Sequence, residues 1–216
     1  MGHWLRSDGS GRQVCSAVTG ETLGVLGAVP DVAAMRGYAK THGGAALRAM
    51  NFHDRARMLK ALALHLKAHR KALYELSFLT GATLADSQID IDGGIGTLLV
   101  YASKGRREMP EGFVLPDGEV EMLSRDGSFL GQHVLTPRQG IALQINAFNF
   151  PVWGMLEKLA PSLLAGVPSL VKPASDTGYL TQAVVRLIAD SGILPEGALQ
   201  LIMGGTGDLL DCLDAQ

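Results

Sequence analysis

From residue 138 onward, short apolar runs alternate with longer amphipathic runs, and this alternation limits the possible folds more than any other feature. Three runs are predicted to be buried strands, namely GIALQIN, PSLVKPA and ALQLIMGG. Two others, WGMLEKLAPSLLAG and LTQAVVRLIADSG, are predicted to be helices that stop at glycine, and DLLDCLDA to open a third. Strands that alternate with helices form a parallel sheet with right-handed crossovers, so we predict an α/β fold.

The first half of the chain is predicted to begin with two short strands and to continue with helices. The strands fall within residues 13–29, around the turn VTGET. Asp31 is a candidate cap for a helix over 31–43, and further helices are predicted over 51–79 and 85–104.

The 51–79 helix has an apolar side and a charged side. The apolar residues at helical spacing are Met58, Leu59, Leu62, Leu66, Leu73 and Leu76. The residues expected to face water are Arg55, Lys60, Lys67 and Arg70. His65 and His69, four residues apart, have a spacing that suits a metal ion, but no HExxH pattern accompanies them and a solvated helix face is favoured.

Residues 118–136 are predicted to form a β-hairpin. The dipeptide Asp126-Gly127 is a turn signal, and the segments on both sides of it partly alternate between apolar and polar residues. An isolated two-stranded ribbon is only marginally stable in water. We therefore expect this hairpin to lie against another surface, in this chain or in another subunit.

Composition and charge exclude several classes of protein. Apolar residues make up 47% of the chain and charged residues 19%, which is typical of a globular protein. The net charge of −2 argues against a nucleic-acid partner, and no apolar run reaches the roughly 18 residues of a membrane helix. Cys15 and Cys212 form neither a CxxC motif nor a metal cluster, so we expect no metal site and a reducing, cytoplasmic location.

Three predicted strands end in segments that could bind a ligand, because ligands of parallel sheets collect beyond the carboxyl ends of the strands. The segments are NAFNFP, KPAS and GGTG. Asn149 could donate hydrogen bonds to a developing negative charge, or it could be an ordinary turn amide. Lys172 could bind a phosphate or a ribose, or it could be an exposed strand-end lysine. Gly205-x-Gly207 is only half of a dinucleotide-binding fingerprint.

Taken together, these segments resemble the aldehyde dehydrogenase superfamily. The resemblance is carried by NAFNFPVWGMLEKLAPSLLAGVPSLVKPAS and DSGILPEGALQLIMGG, and also by GGAALRAMNFHDRARMLKALALHL in the first half. It is strongest to a branch that oxidises coenzyme A-linked semialdehydes during phenylacetate and benzoate degradation. It implies a Rossmann-like cofactor-binding domain with flanking helices and a protruding hairpin.

The resemblance also implies roles for particular residues. Asn149 corresponds to the donor that stabilises the oxyanion, seated rigidly between Phe148 and Phe150, and Lys158 to a lysine that relays protons. The implied cofactor-binding residues are Ile145, Phe148, Lys172, Ser175 and Gly204. Family members that prefer NAD carry a glutamate where this chain has Ser175, and a carboxylate there would repel a 2′-phosphate. We therefore predict NADP as the cofactor, with NAD as the alternative.

Neither cysteine matches the nucleophile of the family, and its glutamate base is not found in the sequence. The expected organisation is N-terminal strands and helices over 1–117, an oligomerisation hairpin over 118–136 and the first β/α units over 137–216, with the catalytic domain absent and the isolated chain inactive. A homo-oligomer is expected. One alternative is a noncatalytic nucleotide-binding or interaction module. A second is an ordinary Rossmann reductase, which the lack of a Tyr-x-x-x-Lys pair disfavours.

Overall fold

The computed structural model describes residues 4–6, 9–28, 30–206 and 209–211. The chain begins with an antiparallel pair of strands, β1 (Arg12–Cys15) and β2 (Thr22–Leu26), as the sequence predicts. The helix predicted to open at DLLDCLDA lies mostly outside the described residues, and Gly207 and Cys212 lie wholly outside them. None of the helices in the described part of the chain combines the length and hydropathy of a membrane span.

Four α-helices follow, and three of them, α1, α3 and α4, have a side-chain cap at the N-terminus. Their bounds are α1 (Val32–Tyr38), α2 (Gly44–Arg48), α3 (Phe52–Phe78) and α4 (Leu84–Arg107). Asp31 caps α1 by accepting from the Ala34 N–H, which confirms the sequence prediction. The helical segment predicted over 31–43 continues beyond residue 43. After α1 ends at Tyr38, a π-helical turn, Ala39–Gly43, leads directly into α2.

The second half forms the predicted parallel sheet. Its strands are β5 (Ala142–Ile145), β6 (Ser169–Lys172) and β7 (Leu199–Leu201), in that order, after a hairpin of β3 (Leu115–Met122) and β4 (Leu130–Leu135). The crossover helices are α5 (Trp153–Leu164) and α6 (Gly178–Asp190). Ala142 pairs with Ser169 and Ser169 with Leu199, so the strands are in parallel register. The α/β prediction is confirmed.

One core joins the two halves of the chain. It contains buried side chains of α3 and α4 together with those of α5 and α6. Leu59, Leu98, Leu156 and Val184, one from each of these helices, are all fully buried. The α3 and α4 helices therefore lie on the same side of the sheet as the crossover helices, whereas Val32 and Met35 of α1 belong to a second cluster with Leu170 and Ile202.

Arg55 is fully buried, so the prediction that it faces water is wrong. Its guanidinium donates to three backbone carbonyls, those of Leu164 at 2.8 Å, Leu47 at 3.1 Å and Met50 at 2.7 Å. These carbonyls lie at the C-terminal ends of α5 and α2, where a helix leaves its last acceptors unpaired. Burial lowers the pKa of Arg55, but five donors on a planar group make arginine suited to several acceptors at once.

The β3–β4 hairpin forms where the sequence predicts it and exposes many apolar side chains. Gly127 has φ +70° in its turn, and Met122 pairs with Leu130 across the strands. The exposed apolar residues of the hairpin are Val120, Met122, Leu123, Phe129, Leu130, Val134 and Leu135. An apolar surface of this kind is typical of an interface.

Arg55→Leu should lower the free energy of unfolding by about 3–5 kcal/mol, because three buried carbonyls lose their donor. Urea denaturation of the 216-residue chain measures the loss. Arg57→Leu is the matched control, since Arg57 is two residues away, exposed and paired with Asp54. It should change stability by less than about 1 kcal/mol. Equal losses in the two variants would contradict the role given to Arg55.

Candidate functional site

The three strand-end segments lie at one edge of the parallel sheet. NAFNFP follows β5, KPAS overlaps the end of β6, and Gly204 follows β7. The Asn146 N–H donates to the Lys172 carbonyl at 3.0 Å, so the first two segments are adjacent. The sequence therefore predicted correctly which segments the fold brings together.

The backbone of the turn after β5 is held from α6. The Thr177 hydroxyl donates to the Phe148 carbonyl at 2.8 Å, and the Thr181 hydroxyl donates to the Pro151 carbonyl at 3.2 Å. Between them, Phe150 has φ +54°, the one positive φ at a non-glycine residue among those described. A phenylalanine in this region is strained and persists only where its surroundings fix it.

Asn149 lies at the centre of this turn with its side chain exposed. Its neighbours do not enclose it, because Phe148 is 67% exposed and Phe150 is 44% exposed. The expectation that two phenylalanines seat the amide is therefore replaced by a different arrangement. Hydrogen bonds to the backbone fix the position of the turn, and the amide is left accessible to a bound molecule.

The start of α5 is held by a buried carboxylate that the sequence interpretation missed. Asp90 of α4 is 4% exposed. It accepts from the Trp153 N–H at 2.7 Å and from the Val152 N–H at 3.1 and 3.2 Å. Burial raises the pKa of Asp90, and the two backbone hydrogen bonds act against that rise. These two N–H groups are therefore not available to a phosphate, unlike those at a typical dinucleotide-binding helix.

A pair of glycines lets α4 approach α5 closely enough for this contact. A Cβ on Gly93 would lie 2.8 Å from the Trp153 ring, and a Cβ on Gly94 would lie 3.0 Å from the Trp153 Cα. The GGIGTLL stretch is thus part of a helix and serves packing. The signal that could have found Asp90 is its place beside the apolar stripe of Ile91, Ile95 and Leu98 on the buried side of α4.

The Lys172 amine lies in a buried position at the end of β6. Its Nζ donates to the Pro173 carbonyl at 2.7 Å, and burial lowers its pKa. Ser175 is half-buried three residues later, and Asp176 is paired with Arg12 of β1. An amine with two unused donor positions and a nearby hydroxyl fit the hydroxyls or phosphate of a nucleotide ribose. Lys172 is therefore not the freely exposed lysine of the alternative interpretation.

Lys158 lies one turn into α5, and its side chain runs back toward the helix N-terminus. Its Nζ donates to the Gly154 carbonyl at 2.7 Å and to Glu157 at 2.9 Å. The side chain is 43% exposed, so the amine is partly solvated. Its implied role as a proton relay stays a prediction.

The other predicted cofactor-binding residues have distinct surroundings. Ile145 is exposed at the end of β5, next to the accessible turn. Gly204 is buried with φ +120°, and a Cβ on it would lie 3.0 Å from the Gly27 carbonyl, so packing already requires a glycine there. Asn146 is buried, and neither atom of its amide has a hydrogen-bond partner among the described residues.

The described residues contain no cluster of three or more His, Cys, Asp and Glu side chains that could hold a metal. The His65 and His69 rings contact each other with centroids 4.5 Å apart, and His65 Nε2 lies 3.1 Å from the Leu187 carbonyl. Cys15 is a free, exposed thiol at the end of β1, remote in sequence from the turn of Asn149.

Comparison with known proteins assigns almost the whole chain to one family. Residues 4–214 match the profile of the aldehyde dehydrogenase family. The chain is 43% identical over 212 residues to 3,4-dehydroadipyl-CoA semialdehyde dehydrogenase of Aromatoleum evansii, covering 97% of this chain and 41% of that protein. It is 40% identical to D-glyceraldehyde dehydrogenase (NADP(+)) of Picrophilus torridus over 72 residues, which is 33% of this chain and 14% of that protein.

The solved structures show the same fold. An NAD-dependent benzaldehyde dehydrogenase from Corynebacterium glutamicum superposes with a TM-score of 0.80 at 22% identity, covering 98% of this chain and 44% of that one. The chain thus spans about two fifths of the length of the proteins that it matches over most of its own length.

Gly93→Ala should lower the free energy of unfolding by about 1–3 kcal/mol, because the new methyl group overlaps the Trp153 ring. Gly96→Ala is the matched control on the same helix, since a Cβ there meets nothing within 4 Å. It should leave stability unchanged or raise it by up to about 1 kcal/mol. Thermal or urea unfolding measures both, and a tolerated Gly93→Ala would show that the two helices are not in close contact.

Proposed function

Because the chain belongs to the aldehyde dehydrogenase family, we propose that it supplies the cofactor-binding part of an enzyme that oxidises a coenzyme A-linked semialdehyde to its acid. The activity named for the Aromatoleum relative supports this substrate class, because the identity of 43% extends over 97% of this chain. Degradation of aromatic compounds such as phenylacetate or benzoate is the process in which we place it. The cytoplasm is its proposed location, consistent with the free thiol of Cys15.

The observation that carries this proposal is the fixed turn with an accessible amide at the sheet edge. In the proposed reaction a cysteine thiolate attacks the aldehyde carbon, and negative charge develops on the aldehyde oxygen. Asn149 donates a hydrogen bond to that oxygen, and one such donor contributes roughly 2.7–4 kcal/mol to transition-state stabilisation. Lys158 relays a proton. In sequence, neither Cys15 nor Cys212 matches the nucleophile of the family. The thiolate is therefore proposed to come from a further segment, and the 216 residues alone are proposed to be inactive.

NADP is the proposed cofactor, and when bound it supplies the hydride acceptor. Lys172 and Ser175 hold the adenosine ribose and its 2′-phosphate, while Ile145, Phe148 and Gly204 border the cofactor. A glutamate at position 175 would lie next to the phosphate, where a like-charge pair about 4 Å apart costs ~4 kcal/mol at an effective dielectric constant near 20, before screening. The Asp176 carboxylate adds little repulsion, because Arg12 is paired with it. The Picrophilus relative is also named as an NADP(+) enzyme.

The β3–β4 hairpin is proposed to join copies of the chain into a homo-oligomer. It exposes seven apolar side chains on a two-stranded ribbon, and a lone ribbon of this kind is only marginally stable in water. A second copy would remove these side chains from water.

The enzyme in which this chain is joined to the cysteine-bearing segment should oxidise a coenzyme A-linked semialdehyde with a higher kcat/KM for NADP than for NAD. Ser175→Glu should lower the kcat/KM for NADP at least about tenfold, because the new charge repels the 2′-phosphate. Ser175→Gln, of the same size but uncharged, is the matched control and should retain the preference. The absorbance of the reduced nicotinamide measures the rate of the wild-type enzyme and of both variants.

The outcomes of this assay separate the parts of the proposal. Absence of turnover with either nucleotide would contradict the activity and favour a noncatalytic nucleotide-binding or interaction module. Turnover with a preference for NAD would contradict the cofactor alone. Turnover by the isolated 216-residue chain would contradict the assignment of the nucleophile to a further segment.

Met122→Asp should shift the 216-residue chain toward monomer, because a carboxylate replaces a side chain that is 70% exposed on the hairpin. Light scattering after size-exclusion chromatography measures the molar mass. Ala68→Asp, on the exposed side of α3, adds the same charge away from the hairpin and should leave the mass unchanged. A wild-type chain that is monomeric at tens of micromolar, or a mass that Met122→Asp does not alter, would refute this interface.

A further inference from the structure

The buried carboxylate of Asp90 has no place in the reaction proposed above, yet it contacts the segment that carries the donor. Asp90 is on α4, whereas its two partners, the N–H groups of Val152 and Trp153, lie three and four residues after Asn149. A carboxylate in the interior is unfavourable unless its oxygens are hydrogen-bonded. Here the carboxylate accepts from two N–H groups at the start of α5, which have no carbonyl acceptor within the helix.

A short stretch of backbone leads from the N–H groups that Asp90 binds to Asn149. Val152 is buried, and Pro151 between them has a fixed φ, so the chain has little freedom over this short distance. On the other side of Asn149, Thr177 holds the Phe148 carbonyl. The asparagine is thus the middle residue of a strained turn whose two ends are fixed by side chains of α6 and α4.

We propose that Asp90 is a positioning residue that fixes the oxyanion donor Asn149 by anchoring the N-terminus of α5. This inference rests on the role proposed for Asn149. The glycine pair of α4 belongs to the same arrangement, because Gly93 and Gly94 bring the two helices close enough for the carboxylate to reach both N–H groups. Asp90 itself touches neither the aldehyde nor the cofactor, and it acts through the geometry of the turn.

The charge of Asp90 is less important than its oxygen atoms. Oδ1 accepts from both N–H groups, at 3.1 and 2.7 Å, and an asparagine could present the same oxygen. Asp90→Asn should therefore retain the position of the turn, whereas Asp90→Ala leaves both N–H groups without an acceptor.

A double-mutant cycle on kcat in the enzyme that contains the cysteine-bearing segment tests the inference. Asn149→Ala should lower kcat about 100- to 1000-fold, as expected for loss of an oxyanion donor. Asp90→Ala should lower kcat about 100-fold, as expected for a donor displaced by about 1 Å, with the KM for NADP unchanged within twofold. Asp90→Asn should restore kcat to within about fivefold of wild type.

The decisive variant combines Asp90→Ala with Asn149→Ala. If Asp90 acts through Asn149, removing it from an enzyme that already lacks the amide should change kcat by less than about threefold. A further loss of about 100-fold in the double variant would overturn the inference, because the two effects would then be independent. An Asp90→Ala enzyme with wild-type kcat would overturn it as well.

Two additional measurements cover the remaining outcomes. If Asp90→Ala does not fold, Asp90→Ser takes its place in the cycle, because a short hydroxyl keeps the site polar while removing the carboxylate oxygens. If Asn149→Ala retains full kcat, the proposed role of Asn149 fails. In that case, amide hydrogen exchange in the 216-residue chain decides the anchoring. Faster exchange at Val152 and Trp153 in Asp90→Ala than in Asp90→Asn supports it, and equal exchange contradicts it.

Discussion

The α5 helix is held at its two ends by side chains of opposite charge from the first half of the chain, and the candidate site depends on this. Asp90 of α4 accepts from the N–H groups at its start, and Arg55 of α3 donates to the Leu164 carbonyl at its end. Each charge also opposes the partial charge of the helix terminus that it meets, which is favourable. Both groups are buried, so their hydrogen bonds are protected from competition with water.

This arrangement explains why the helices of the first half share a core with the β/α units. A crossover helix on a three-stranded sheet would have only the sheet to pack against, whereas α5 also contacts α4 along its length, from Trp153 near Gly93 to Leu164 near Gly105. The candidate site lies in the turn that precedes the N-terminus of this helix. Its backbone is therefore fixed by the core, while Ile145, Phe148 and Phe150 leave apolar surface exposed.

Local features of the fold were predictable because their causes are local. Asp31 before an apolar-periodic run and Gly127 in a tight turn act on residues within a few positions. The roles of Arg55 and Asp90 were not predictable in this way, because the ends of α5 that they bind, at Leu164 and Val152, lie 109 and 62 residues away in sequence. An apolar stripe beside a charged residue can indicate that the residue is buried, but it does not show which distant helix terminus the residue meets. The family resemblance predicted roles for Asn149 and Lys172, but it could not show that hydrogen bonds to the backbone, and not the two phenylalanines, hold the turn.

The strain at Phe150 follows from the same constraints. A left-handed φ at a residue with a side chain costs of order 1–3 kcal/mol, and a glycine there would remove that cost. A glycine would also widen the range of conformations open to the turn, because its φ and ψ are less restricted. The phenylalanine restricts the backbone on one side of Asn149, and its ring contacts Trp153 edge-on with centroids 6.2 Å apart. The packing that fixes α5 offsets this cost, so the strain at Phe150 is tolerated. It lies next to Asn149, whose amide must keep its position to act as the proposed donor.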